Sequence, residues 1–192
     1  PNDEAYAALQ ESVTSAKTYV GKKMNSDIAA QLYEAISVAE GLTANSEIDD
    51  INSAKATLDA LISQVAASVD QYTALNSLLT SAQASAQTLD EAGKKVFDEQ
   101  IKTITDRYTN STYAGDYTAA QTSVREALAA GAKAQTTEGA DMTLALADPS
   151  FENNGEGWQG KETVNSTTQN AEAYHKKFDM YQEVSGLPTG TY

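Results

Sequence analysis

The sequence predicts a mainly α fold: two tandem three-helix bundles joined end to end through a shared long helix, followed by a partial antiparallel β-sandwich segment. Three observations predict it. Residues 3–139 are rich in Ala, hold no Pro and place apolar residues at helical spacing. Within them one apolar pattern occurs twice, about 66 residues apart. From residue 140 the period changes to alternation, and Pro, Gly and Asn gather at turn positions. The expected division is a first bundle over 1–68, a second over 69–139 and the β-segment over 140–192.

In the first helix Tyr6, Leu9, Val13, Ala16 and Val20 step by three and four, one stripe of a 3.6-residue helix, and Gly21 and Asn25 end it. Ser26 is the expected cap of a second helix whose Ile28, Leu32, Ile36 and Ala39 face inward and which Gly41 closes. Asn45-Ser46 with Asp49 opens a third, with Ile48, Ile51, Leu58, Ile62 and Val65 as its buried face. The pattern then recurs. Tyr6-Ala7-Ala8-Leu9 matches Tyr72-Thr73-Ala74-Leu75, and Asp50-Ile51-Asn52-Ser53-Ala54 matches Asp116-Tyr117-Thr118-Ala119-Ala120, each at an offset of 66, while Ile36 pairs with Ile101 at 65. Short loops make each set of three helices antiparallel neighbours.

Between Leu42 and Ala92 there is neither Gly nor Pro. The last helix of the first copy and the first helix of the second are therefore expected to run together, near Ser46 to Leu89, over about 60 Å at 1.5 Å per residue. The alternative is a break near Ser68-Val69-Asp70, where Ser and Asp can cap a fresh start.

In the last region Met142, Leu144 and Leu146 alternate with Thr143, Ala145 and Ala147, as in a half-buried strand. Asp148-Pro149-Ser150 stops it, because Pro149 has no N–H for a ladder. Asn153-Asn154-Gly155 is a second turn signal. A further strand is expected with Phe178, Met180, Gln182 and Val184 on one face and Asp179, Tyr181 and Glu183 on the other. Ser185-Gly186-Leu187-Pro188-Thr189-Gly190 closes it, and Thr191-Tyr192 begins another.

Two resemblances follow from these residues. Asp148-Pro149-Ser150-Phe151-Glu152, Gly157-Trp158, and Phe178-Asp179-Met180-Tyr181-Gln182 leading to Gly186-Leu187-Pro188-Thr189-Gly190-Thr191-Tyr192 resemble the opening half of galactose-binding-like jelly-roll domains, with Asp148 where the family pattern has Asn. Such domains occur in secreted and surface proteins of gut Bacteroidetes and in modular glycoside hydrolases, where many bind carbohydrate. The helical repeat, with Ile51-x-x-Ala54-x-x-x-Leu58-x-x-Leu61-Ile62 in its third helix, is similar to FIVAR-type modules of bacterial surface proteins and sugar-active enzymes. That resemblance implies a spacer or adhesion role and carries over no catalytic residue.

Composition narrows the partners. Thirteen Lys and Arg against 27 Asp and Glu give a net charge of −14, which repels phosphate backbones and anionic lipid and argues against nucleic-acid or membrane-surface binding. No apolar run is long enough to cross a bilayer. With no Cys and one His, thiolate chemistry and a His-based metal cluster are excluded, and an enzyme is disfavoured. The carboxylate pairs Asp49-Asp50, Asp90-Glu91 and Asp98-Glu99 read as capping and solvation rather than acid–base machinery, since adjacent residues point to different helix faces.

Sugar binding needs an exposed aromatic ring with amides and carboxylates around it. Trp158, Tyr174, His175 and Tyr181 are the available pieces, and Tyr181 is the better outward candidate because Met180 and Gln182 take the opposite face. Trp158 and Phe151 fit better as core anchors of the sandwich, and His175 as an exposed strand or loop residue rather than a catalytic base. Asp148 and Glu152 could join a structural calcium site as in related sandwiches, but no metal and no cofactor is expected. Tyr6, Tyr72 and Tyr117 fit the core, whereas Tyr108 and Tyr113, around Asn110-Ser111-Thr112, could form a contact patch at the second bundle's tip. The expectation is a non-catalytic extracellular or cell-surface fragment of a longer bacterial protein, its leader or anchor upstream. Its helices would space out a domain that meets a glycan or host ligand, with self-association through the unfinished sheet. The alternative is a purely structural spacer, and a glycosidase domain elsewhere in the parent protein is compatible with either.

Overall fold

The computed structural model describes residues 2–160, 163–174, 177–187 and 189. Its described residues are mainly helical and hold five α-helices: α1 (Asp3–Lys17), α2 (Ser26–Glu40), α3 (Ile48–Ala86), α4 (Glu91–Thr109) and α5 (Tyr117–Ala134). A 3₁₀ turn (Thr143–Ala145) and two short strands, β1 (Thr163–Asn165) and β2 (Asn170–Glu172), follow. β1 and β2 pair antiparallel with Val164 opposite Ala171. The chain divides into two compact units, Pro1–Asn76 with Asp106–Ala114, and Ser77–Thr105 with Gly115–Tyr192.

In the first unit the apolar stripes meet in one core. Leu9, Val13 and Ala16 of α1, Leu32, Ile36 and Ala39 of α2, and Ile51, Leu58, Leu61 and Val65 of α3 are buried together. Full burial of each Leu, Ile or Val contributes about 1.5–3 kcal/mol. Two stripe members fall outside. Val20 is exposed because α1 ends at Lys17, where Thr18 Oγ1 donates back to the Ser15 carbonyl at 2.7 Å and Gly21 takes φ +82°. Ile48 is exposed at the first position of α3. Asn25, not Ser26, caps α2: its Oδ1 accepts from the backbone N–H groups of Asp27 (2.9 Å) and Ile28 (3.3 Å).

α3 runs unbroken for 39 residues. It passes through Ser68-Val69-Asp70 without the alternative restart, and the Ser68 hydroxyl accepts from Asn25 N–H at 3.0 Å. Further along, Tyr72 is 1% exposed and its hydroxyl is bonded to both backbone groups of Tyr113. Tyr113 is itself buried, and Tyr108 lies tilted against Tyr72 with ring centroids 5.7 Å apart. The expected contact patch of Tyr108 and Tyr113 is thus corrected: Tyr113 is a core residue, drawn inward by the Tyr72 hydroxyl.

The second unit buries Leu78, Leu79 and Ala82 of α3, Phe97 and Ile101 of α4, and Val124, Ala127 and Leu128 of α5. Asp116 caps α5 by accepting from Ala119 N–H at 2.6 Å. Asp90 precedes α4 and accepts from Gly93 N–H at 2.9 Å. Its other oxygen takes Thr136 N–H (2.6 Å), Thr136 Oγ1 (2.8 Å) and Thr137 N–H (3.2 Å), holding the chain that leaves α5. These bonds pull the Asp90 carboxyl well below the usual carboxylate range, that from Gly93 contributing most.

The strand expected at Met142–Leu146 is instead the 3₁₀ turn, packed on α5 with Ala145 buried. Asp141 imposes it. Its Oδ1 accepts from Thr143 N–H at 2.9 Å and its Oδ2 from Ser85 Oγ at 2.9 Å, while its own N–H donates to Thr88 Oγ1 at 2.7 Å. The strand expected from Phe178 to Val184 is reduced to one bridge at Tyr181. Its alternation survives, with Met180, Gln182 and Val184 half-buried and Asp179, Tyr181 and Glu183 exposed, but Phe178 is exposed against expectation. The turn at Asn153-Asn154-Gly155 is present, with φ +55° at Asn154 and +72° at Gly155. Thr191-Tyr192, expected to begin a strand, lie outside the described residues.

Candidate functional site

Asp148, Phe151, Trp158, Tyr181 and Gln182 of the last region converge on one small knot. Asp148 is 3% exposed, and its carboxylate spans the following turn, accepting from Asn153 N–H at 3.1 Å and from Gly155 N–H at 2.6 Å. Pro149 stops the preceding segment, so the chain bends back within reach of that carboxylate. The Trp158 indole N–H donates to the Asp148 carbonyl at 3.1 Å, and the Trp158 ring lies 5.5 Å from that of Phe151. Gly157, at φ +81°, lets the backbone pass so near Ala147 that a Cβ would lie 2.6 Å from the Ala147 Cβ.

Gln182 fastens the second half of the motif to the first. Its Oε1 accepts from Ala147 N–H at 2.8 Å and its Nε2 donates to the Ala147 carbonyl at 3.1 Å, imitating a strand partner with a side-chain amide. Next to it, Gln159 and Tyr181 exchange two backbone hydrogen bonds, 2.7 Å from Gln159 N–H and 3.1 Å from Tyr181 N–H. The Tyr181 hydroxyl also donates to Gln159 Oε1 at 3.2 Å.

Each described candidate therefore has a defined place. Trp158 is half-buried, with ring and N–H both engaged inside the knot. Tyr181 is 46% exposed and presents its ring beside the Gln159 amide. Tyr174 is 83% exposed in the segment after β2. His175 lies outside the described residues. The candidate calcium ligand Asp148 has both carboxylate oxygens turned on backbone N–H groups. Among the described residues no group of three or more His, Cys, Asp or Glu is arranged to hold a metal.

Tyr117 is a neighbour that sequence reasoning left in the helical core. It lines a cavity of about 60 Å³ with Gln121, Leu144, Leu146, Asp148 and Glu152. Burial pushes its hydroxyl pKa up, and the charges of Glu152, Asp148 and Glu156 push it further. The adjacent Thr118 Oγ1 donates to Glu156 at 2.5 Å, whose other oxygen accepts from Asn153 Nδ2. The signal for this placement was the acidic run Asp148, Glu152, Glu156, spaced by four, but not its partner helix.

The remaining perturbed carboxylates serve local structure. Lys55 and then Ser12 hold Asp59 below its ordinary value through hydrogen bonds, and Thr143 does the same for Asp141. In the first unit an open groove of about 1100 Å³ lies between α2 and α3 over Ala30, Ala54 and Ala60, with Val38 at its edge 52% exposed.

Comparison with known proteins gave no match: no family model fits the chain, and no curated protein or solved structure is similar to it at a significant level. Among the described residues no helix is long and apolar enough to cross a membrane.

Proposed function

We propose that this chain is a non-catalytic part of a larger bacterial surface or secreted protein. In this reading two tandem three-helix bundles of FIVAR type, sharing α3, act as a spacer that presents a galactose-binding-like carbohydrate-binding or adhesion domain. The observation that carries it is Tyr181, an aromatic ring 46% exposed with a side-chain amide fixed beside it. A pyranose ring stacks on such a face while the amide exchanges hydrogen bonds with its hydroxyls. Tyr174, His175 and Trp158 are the further candidates, and the ligand is a neutral glycan, since a chain of net charge −14 repels anionic ones.

A second reading, a structural spacer without a ligand, is favoured by the internal engagement of Trp158 and Gln182. A neutral-glycan array probed with the full chain and with Tyr181→Ala separates the two. Binding that Tyr181→Ala abolishes supports the first reading. Binding that survives the substitution removes Tyr181 from the site, and no binding by the full chain leaves the spacer reading.

A further inference from the structure

We propose that Asn154-Gly155 is a site of spontaneous covalent modification, deamidation through a cyclic imide, and that the Asp148 carboxylate holds this reaction off while the knot is intact. In the reaction the Gly155 backbone nitrogen attacks the Asn154 side-chain carbonyl carbon. The new N–C bond forms as the bond to Nδ2 breaks, and ammonia leaves with the proton that the Gly155 nitrogen gives up. Water then opens the five-membered imide at either carbonyl, leaving aspartate or isoaspartate. Glycine at the following position is the most permissive for this attack, because no side chain shields its nitrogen.

Asn154 is exposed and sits at φ +55° in the turn, so water reaches the side chain that reacts. Gly155 is buried, and its N–H points at Asp148 Oδ2 at 2.6 Å. The attacking nitrogen must lose that proton and turn toward the side chain, which first breaks a charge-assisted hydrogen bond. The same carboxylate also holds Asn153 N–H at 3.1 Å, so the whole turn resists the rotation. Deamidation would add a negative charge and, in the isoaspartate product, an additional backbone methylene, within a loop that already carries Asp148, Glu152 and Glu156. The modified turn would then no longer close on Asp148.

The test is to age the full chain and Asp148→Ala at mildly alkaline pH and follow conversion at Asn154 by peptide mass mapping with fragmentation, checking helix content by circular dichroism. Hydrogen exchange of the Gly155 amide in the unmodified wild-type chain is measured alongside. The expected result is a protected Gly155 amide in the wild type and conversion about tenfold faster in Asp148→Ala, the factor for one charge-assisted hydrogen bond that no longer has to break. Equal or slower conversion in Asp148→Ala overturns the proposal, slower conversion assigning the carboxylate to proton removal instead. A Gly155 amide that exchanges as freely as an unstructured one overturns it without recourse to the variant.

Discussion

Gly93 of α4 and Gly131 of α5 face each other so closely that a Cβ on Gly93 would lie 2.8 Å from the Gly131 carbonyl oxygen, and one on Gly131 would lie 2.9 Å from that of Gly93. Leu89 and Phe97 close over the crossing. Ala is the better helix former by about 1 kcal/mol, but here its Cβ meets the backbone of the facing helix, and at Gly131 also Leu89 Cδ1 at 2.7 Å. Overpacking of that kind costs about 1–3 kcal/mol. Gly131→Ala is therefore expected to lower the melting temperature by a few degrees, and Gly93→Ala likewise, in thermal unfolding followed by circular dichroism. An unchanged or raised Tm for both would show that the helices can separate without loss.

The Tyr72 hydroxyl accepts from Tyr113 N–H at 2.8 Å and donates to the Tyr113 carbonyl at 3.1 Å, all of it buried. Tyr72→Phe keeps the ring and removes both bonds, with an expected loss of about 1–3 kcal/mol in urea unfolding. Tyr108→Phe removes an exposed bond to Asn76 Oδ1 and should stay within about 0.5 kcal/mol. Equal losses from the two would mean that burial of the Tyr113 backbone does not set the cost.

What was legible in the sequence follows from where each structural decision is made. Leu9, Val13 and Ala16, or Leu32, Ile36 and Ala39, are buried at helical period, and the continuity of α3 follows from its lack of breakers. Val20 shares that period but lies past Lys17, where the Thr18 bond to the Ser15 carbonyl closes α1, and Ile48 shares it at the first position of α3. Met142 to Leu146 alternates like a strand, yet bonds from Asp141 to Ser85 and Thr88, more than fifty residues earlier, make it a turn. No local pattern encodes such a partner, and the same holds for Gly93 with Gly131. In the candidate site, the Asp148 and Gly157-Trp158 motifs were visible as a unit because their spacing is local. Their use in packing was itself a sequence reading, and the structure adds the partner, the ring of Phe151 against that of Trp158.

Asp90 gives the fold a dependence on acid. Its carboxylate takes four donors, from Gly93, Thr136 and Thr137, and these hold its pKa well below the ordinary carboxylate range. A carboxylate with a depressed folded-state pKa contributes stability that is complete above its unfolded-state value and is lost as the pH falls through the folded-state value. Asp90→Asn turns an NH₂ group on one of these donors. It should lower Tm at neutral pH, with the gap to the wild type closing in strong acid. A gap that is constant down to the lowest measurable pH would show that the charge of Asp90 is not what the bonds require.

Gly157 and Gly139 separate crowding from backbone strain. Both have positive φ, +81° and +93°, but a Cβ on Gly157 would lie 2.6 Å from the Ala147 Cβ, whereas one on Gly139 would meet nothing within 4 Å. Gly139→Ala should cost only the left-handed backbone penalty, about 1–2 kcal/mol. Gly157→Ala must also push Ala147 from the Gln182 amide and lift Trp158 from Phe151. Trp158 is the single Trp of the chain, so its emission reports the knot alone. Gly157→Ala should shift that emission to the red at unchanged helix content, and Gly139→Ala should leave it in place. If both variants keep the wild-type emission, the close approach of Gly157 to Ala147 does not hold Trp158, and the packing role assigned to the Gly157-Trp158 pair fails.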